Sequence, residues 1–137
     1  MNDCFDICLS ENEIRNISLL GLAHVGDAVY ELLVRTRLCR DGGMTAAKMH
    51  SDAVRYVSAS AQHRAAQRIL PLLYEEEEEI YKRGRNTHVN SVPSHATLEE
   101  YHAATGLEAL FGALYLRGKR ERLQELFEAV MAGEVDG

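Results

Sequence analysis

Tryptophan is missing from this 137-residue chain, proline occurs twice and cysteine three times. So little proline removes the commonest helix breaker. Cys4, Cys8 and Cys39 are too few for a disulfide framework, and an odd set; they suit free thiols in a reducing cytoplasm. Cys4 and Cys8 offer half of a zinc site, but no second Cys/His pair follows at zinc spacing. No apolar run reaches the length of a membrane span, so a membrane is not an expected partner. The opening MNDCFDICLS has neither a basic n-region nor a long apolar h-region, and no secretory leader is expected. Internal repeats and low-complexity blocks are absent too. What remains is ordinary globular material, 46% apolar and 26% charged. Its length suits one domain over residues 1–137 with a genuine core.

The net charge of −6 argues mildly against a polyanionic partner. The charges are segregated, however. Residues 80–95 hold Lys82, Arg83 and Arg85 and no acid, and residues 44–68 hold Lys48, Arg55, Arg64 and Arg68 against Asp52 alone. The acids gather in Glu75–Glu79 and in the C-terminal segment. Such a surface can present one basic face to a nucleic acid despite its net sign.

Helical periodicity runs through almost the whole chain, and the expected fold is all-α. Ser10 and Glu13 form a capping box for a short first helix. A long helix is expected from about Ser18 to Arg40, stopped by DGG at 41–43. Thr45 caps a segment over about 45–70, Pro71 interrupts it, and LLYEEEEEIYKRG reads as a helix ending near Gly84. Residues 85–96 read as a loop. Thr97 and Glu100 form a second capping box, for a helix over about 98–117 ended by Gly118. An amphipathic helix over about 119–133 follows, with Leu123, Leu126, Phe127 and Val130 on its inner face. The EEEEE run reads as a solvated helix face, and Tyr30 and Tyr115 as core aromatics with a hydroxyl reaching an edge.

Two of these helices are apolar nearly all round, LLGLAHVGDAVYELLV at 19–34 and GLEALFGALYL at 106–116, which predicts that both lie at the centre of the fold. Each keeps a mid-helix glycine, Gly26 or Gly112, at a cost of about 1 kcal/mol against alanine. Close approach of the two backbones explains that choice. Each also carries a carboxylate near its glycine, Asp27 or Glu108. An ionised carboxylate in apolar surroundings must be offset. A basic partner, protonation, or a shared divalent cation would each serve. Glu31, four residues after Asp27, adds a third carboxylate on the same helical face, and three oxygen donors suit Mg²⁺. The blander alternative is structural: Asp27 bonds a neighbouring helix and Glu108 meets a buried arginine. His24, one turn before Asp27, is either a ligand or a satisfied core residue.

The motifs LAHVGDAVYELLVR and TGLEALFGALYLRG resemble the two acidic signatures of the ribonuclease III catalytic domain, NERLEFLGDAVLE and DxxEALIGAxYL. VSASAQ at 57–62, KRGRN at 82–86 and YHAATGLEAL resemble one branch in particular, the Mini-ribonuclease III proteins, which consist of the nuclease domain alone. The resemblance covers about residues 17–118. Leu20, Ala23 and Thr105 stand where the broad family has acids, so only Asp27 and Glu108 carry over as catalytic and metal-binding positions; the same thinning marks the Mini-III branch. The resemblance implies a ribonuclease III-like helical bundle, a homodimer, and Mg²⁺-dependent cleavage of double-stranded RNA leaving 5′-phosphates, with Mn²⁺ able to substitute. The usual substrate of the branch is a stem of the large-subunit ribosomal RNA precursor, which implies ribosome maturation in the cytoplasm. A ribosomal protein is a further candidate partner in that setting. Lacking an RNA-binding domain, such a protein grips the duplex itself through phosphates and 2′-hydroxyls. Lys82, Arg83, Arg85 and Asn86 of the glycine-containing KRGRNTH loop are the first candidates, and Lys48, His50 and Arg55 further ones. Two rival readings are a non-catalytic dimeric RNA-binding relative and a helical metal phosphohydrolase acting on a small nucleotide.

Overall fold

A computed structural model of the chain describes residues 3–87 and 96–133. Its helices are α1 (Glu11–Arg15), α2 (Leu19–Asp41), α3 (Ala46–Val57), α4 (Ala59–Ile69), α5 (Glu75–Arg85), α6 (Leu98–Leu116) and α7 (Arg120–Ala132), with a 3₁₀ turn at Leu70–Leu72. Strands are absent among the described residues, and so is any helix long and apolar enough to cross a membrane. Most of the expected loop, residues 88–95, lies outside the described residues.

The helix boundaries follow from local chemistry. Ser10 with Glu13 and Thr97 with Glu100 form reciprocal capping boxes on α1 and α6. The side chains of Ser18 and Thr45 accept from Gly21 N and Lys48 N and so cap α2 and α3. After α6, Gly118 turns the chain with φ at +72°, a conformation open to glycine at little cost.

Helix α6 is the hub, with α2, α4 and α5 packed directly on it. Leu107, Leu110 and Phe111 of α6 are wholly buried, together with Val34 and Tyr30 of α2 and Ile69 of α4. Tyr30 stacks obliquely on Phe111, ring centroids 5.3 Å apart, and meets Phe127 of α7 edge-on at 6.2 Å. Each such side chain contributes about 1.5–3 kcal/mol through burial.

The closest contact is between α2 and α6. A Cβ placed on Gly26 would lie 1.6 Å from the Glu108 carbonyl oxygen, and one on Gly112 would lie 2.0 Å from the Leu22 carbonyl oxygen. The two backbones touch at these glycines, as their mid-helix positions predict.

Four expectations need correction. The segment over 45–70 is two helices, broken at Ser58. Its backbone is extended (ψ 157°), its N–H donates to the Val54 carbonyl to end α3, and its hydroxyl accepts from Ala61 N to start α4. Gly84 is not a loop hinge but a buried helical residue; a Cβ there would lie 3.0 Å from Gly106 Cα, so its smallness serves α5–α6 packing. Lys82, Arg83 and Arg85 consequently sit on the last turn of α5, with Asn86 as its C-cap. Glu77 is buried rather than solvated, because Arg122 of α7 donates to both its carboxylate oxygens, at 2.8 and 2.9 Å. Lastly, α6 is central as expected, but α2 turns one side outward, leaving Leu20 47% and Leu32 57% exposed.

Replacing Gly26 by alanine is expected to cost more than about 3 kcal/mol, because two helix backbones must separate to admit one methyl group. Urea unfolding measures it; a loss under about 1 kcal/mol would contradict the crossing.

Candidate active site

The glycine crossing decides where the two acids meet. Gly26 packs on the carbonyl of Glu108 itself, and Asp27 is the next residue along α2. The two carboxyl groups come within hydrogen-bonding reach of each other. Asp27 is exposed and Glu108 half-buried, so the expectation that both acids are enclosed holds only in part. Burial pushes the Glu108 carboxyl up to about 8; the Asp27 negative charge and a hydrogen bond with Asp27 act in the same direction. A hydrogen bond from Gln62 opposes them. Among the described residues no arginine or lysine acts on Glu108, which speaks against the structural alternative of a buried guanidinium partner for it.

Gln62 is the residue that sequence reasoning missed as a site member. It comes from α4 and is 3% exposed. Its Nε2 donates to the Val57 carbonyl at 3.0 Å and to Glu108 Oε2 at 3.5 Å, while its Oε1 is buried with no partner. The VSASAQ motif pointed to this segment, but only the fold brings residue 62 to residue 108.

Two carboxyl groups at one point, with no basic side chain among the described residues acting on Glu108, fit a divalent cation as the partner that would let both ionise. The donor chemistry is oxygen throughout, as Mg²⁺ requires. Among the described residues no group of three His, Cys, Asp or Glu side chains could hold a metal. Glu31 accepts instead from Arg35, one turn on, at 2.7 Å. The protein thus offers two carboxylates, leaving positions for water and for substrate oxygens; Mg²⁺ characteristically keeps several waters. His24 is exposed on α2.

The basic candidates lie on α5 and α3. Gly84 packs against Thr105, Gly106 and Ala109, the stretch of α6 that also carries Glu108. The cationic end of α5 is therefore one helix-packing distance, about 8–10 Å between axes, from the helix of the acidic site. Lys82 pairs with Glu78 at 2.8 Å, Arg83 is exposed, and Arg85 lies over the Tyr81 ring at 5.8 Å with its Nε donating to Asn86 Oδ1 at 3.4 Å. On α3, Lys48 pairs with Asp52 at 3.0 Å, and His50 and Arg55 are exposed.

Residues 20–119 match the ribonuclease III domain. Over 120 residues the chain is 42% identical to a Mini-ribonuclease 3 of Thermoanaerobacter sp. (strain X514), covering 88% of this chain and 84% of that protein. A Mini-ribonuclease 3 of Symbiobacterium thermophilum is 44% identical over 110 residues, covering 80% and 85%. Among solved structures, the crystal structure of a Fusobacterium nucleatum protein superposes with a TM-score of 0.82 at 34% identity, covering 90% of this chain and 98% of that one.

The raised Glu108 pKa has a sign that can be checked. Between about 4.5, its ordinary value, and about 8 the folded protein keeps a proton that the unfolded chain has lost. Stability from this group is therefore complete below that window and falls as pH rises through it. Glu108→Gln is expected to be no more stable than wild type near pH 4, and more stable by on the order of 2 kcal/mol at pH 9 without divalent cations. Denaturant melts at the two pH values read it; an equal effect at both would refute the coupled pair.

Proposed function

The chain belongs to the ribonuclease III family, in its Mini-ribonuclease III branch, and is an endoribonuclease; from that premise we propose that it cuts double-stranded RNA at the Asp27–Glu108 pair. The observation that carries this reading is the meeting of the two acids at the Gly26–Gly112 crossing, where a cation is the natural counter-charge. Asp27 and Glu108 would hold Mg²⁺, or Mn²⁺ in its place. When bound, the cation supplies charge neutralisation at the scissile phosphate and acidifies water for attack on phosphorus. Hydrolysis then leaves a 5′-phosphate on one product and a 3′-hydroxyl on the other. Gln62 Nε2 donates to Glu108 Oε2 at 3.5 Å beside the pair. Arg83, Lys82 and Arg85 serve as phosphate contacts and Asn86 as a contact to a hydroxyl; Lys48 and His50 extend the same basic character on α3. An exposed arginine on a helix packed against α6 suits shape-based recognition of an RNA duplex.

The reading includes a homodimer, with one acid pair per protomer acting on each RNA strand. Its physical support is α2, whose exposed Leu20 and Leu32 ask for cover. The proposed substrate is a base-paired stem of the large-subunit ribosomal RNA precursor, cut in the cytoplasm, where the free thiols of Cys4, Cys8 and Cys39 stay reduced. A ribosomal protein that shapes the stem fits the same setting. The retained acid pair speaks against the non-catalytic alternative, and membership of the family against the small-nucleotide phosphohydrolase.

Asp27→Asn is expected to lower duplex cleavage at least about 10³-fold while leaving duplex binding within about threefold of wild type. Single-turnover cleavage and a gel-shift titration on the same labelled duplex provide the check. Cleavage near the wild-type rate would remove Asp27 from the site.

A further inference from the structure

Among the described residues four polar or charged side chains are buried: Asp52, Gln62, Glu77 and Thr105. Three are satisfied by their surroundings. Asp52 pairs with Lys48, Glu77 with Arg122, and Thr105 Oγ1 donates to the Tyr101 carbonyl at 3.0 Å. Gln62 is the exception, since its buried Oε1 has no partner. A buried acceptor without a donor destabilises a fold, and a methionine of similar length would avoid it. Packing alone therefore does not account for an amide at this position.

Its other end does account for it. The Val57 carbonyl can only accept, so Nε2 faces it, and the same nitrogen reaches Glu108 Oε2. The break at Ser58 prepares this contact: it ends α3 at Val57 and leaves that carbonyl to be taken by a side chain five residues on. Gln62 thereby ties the α3–α4 corner to the acid on α6. The donor is neutral, and the neutrality matters. A lysine or arginine here would neutralise the acid pair and compete with a cation, and a carboxylate would add a third negative charge without a proton to donate.

We infer that Gln62 is a positioning residue of the nuclease site, holding the Glu108 carboxylate at its meeting point with Asp27. The inference rests on the nuclease reading above. Partners that orient a metal-binding side chain in this way are worth about 10–100-fold in affinity or activity.

The test uses Gln62→Met and Gln62→Glu in the full chain. Both are expected to fold by circular dichroism and to bind RNA duplex in EDTA within about threefold of wild type. Both are expected to cut at a saturating-enzyme rate at least about tenfold lower, a loss in kcat rather than in binding. A readout independent of cutting is the ¹⁵N side-chain amide resonance of Gln62 in wild-type protein. It should shift on Mg²⁺ titration, and the shift should vanish in Glu108→Gln. If the methionine variant unfolds, the glutamate variant and the resonance decide the matter. Wild-type cleavage alongside an equally fast, folded variant would overturn this inference alone, as would a Gln62 resonance unmoved by Mg²⁺ while its neighbours shift. Wild-type protein that leaves every RNA duplex intact would overturn the nuclease reading and this inference with it.

Discussion

The rest of the molecule depends on two helix backbones in contact. Where α2 crosses α6, neither Gly26 nor Gly112 has room for even one methyl group, and each glycine faces a carbonyl of the other helix. Helices meeting through side chains keep their axes about 8–10 Å apart. Removing the side chains at the crossing brings the residues beside it closer together. Asp27 is beside one glycine, and Glu108 lies one turn before the other, on the same face of its helix. The chemical pair is thus a by-product of the packing geometry, and the glycines, whose entropic cost looks wasteful in an isolated helix, set the site.

The crossing also makes the site unstable on its own. Two acids held together, one of them half-buried, keep a proton that free glutamate would lose, and the Glu108 carboxyl is pushed up to about 8. Functional sites characteristically store this kind of tension. A divalent cation would relieve it by letting both groups ionise. The ribonuclease III signature that the two motifs resemble carries more acids; here Leu20, Ala23 and Thr105 occupy those places, so a cation held by Asp27 and Glu108 would take its remaining ligands from water and substrate. Gln62 adds orientation without adding charge, which suits a site with only two carboxylates.

Much of this was legible in the residues. The capping boxes of Ser10/Glu13 and Thr97/Glu100, the stop after α2 and the Gly118 turn are local signals, each readable within a few positions. The Gly26–Gly112 crossing could be read because a mid-helix glycine in an apolar helix needs a reason. What escaped reading depends on tertiary contact. Glu77 looks like any member of its acidic run, and only Arg122, 45 positions away, makes it a buried ion-pair partner. Gly84 suggested a flexible loop because glycine serves both hinges and close packing, and its neighbour Gly106 settles which. Ser58 was hidden because helical periodicity continues across the break. Gln62 carried no sign of its role, since its partner lies 46 positions away.

The most direct measurement is incubation of the purified chain with a labelled RNA duplex, in Mg²⁺ and in EDTA, beside single-stranded RNA and a DNA duplex of the same sequence. Mg²⁺-dependent cutting of the RNA duplex alone is expected, staggered between the two strands, with 5′-phosphate ends. Cutting that persists in EDTA, or that falls equally on single strands, would contradict a metal-bearing acid pair built to work on double-stranded RNA.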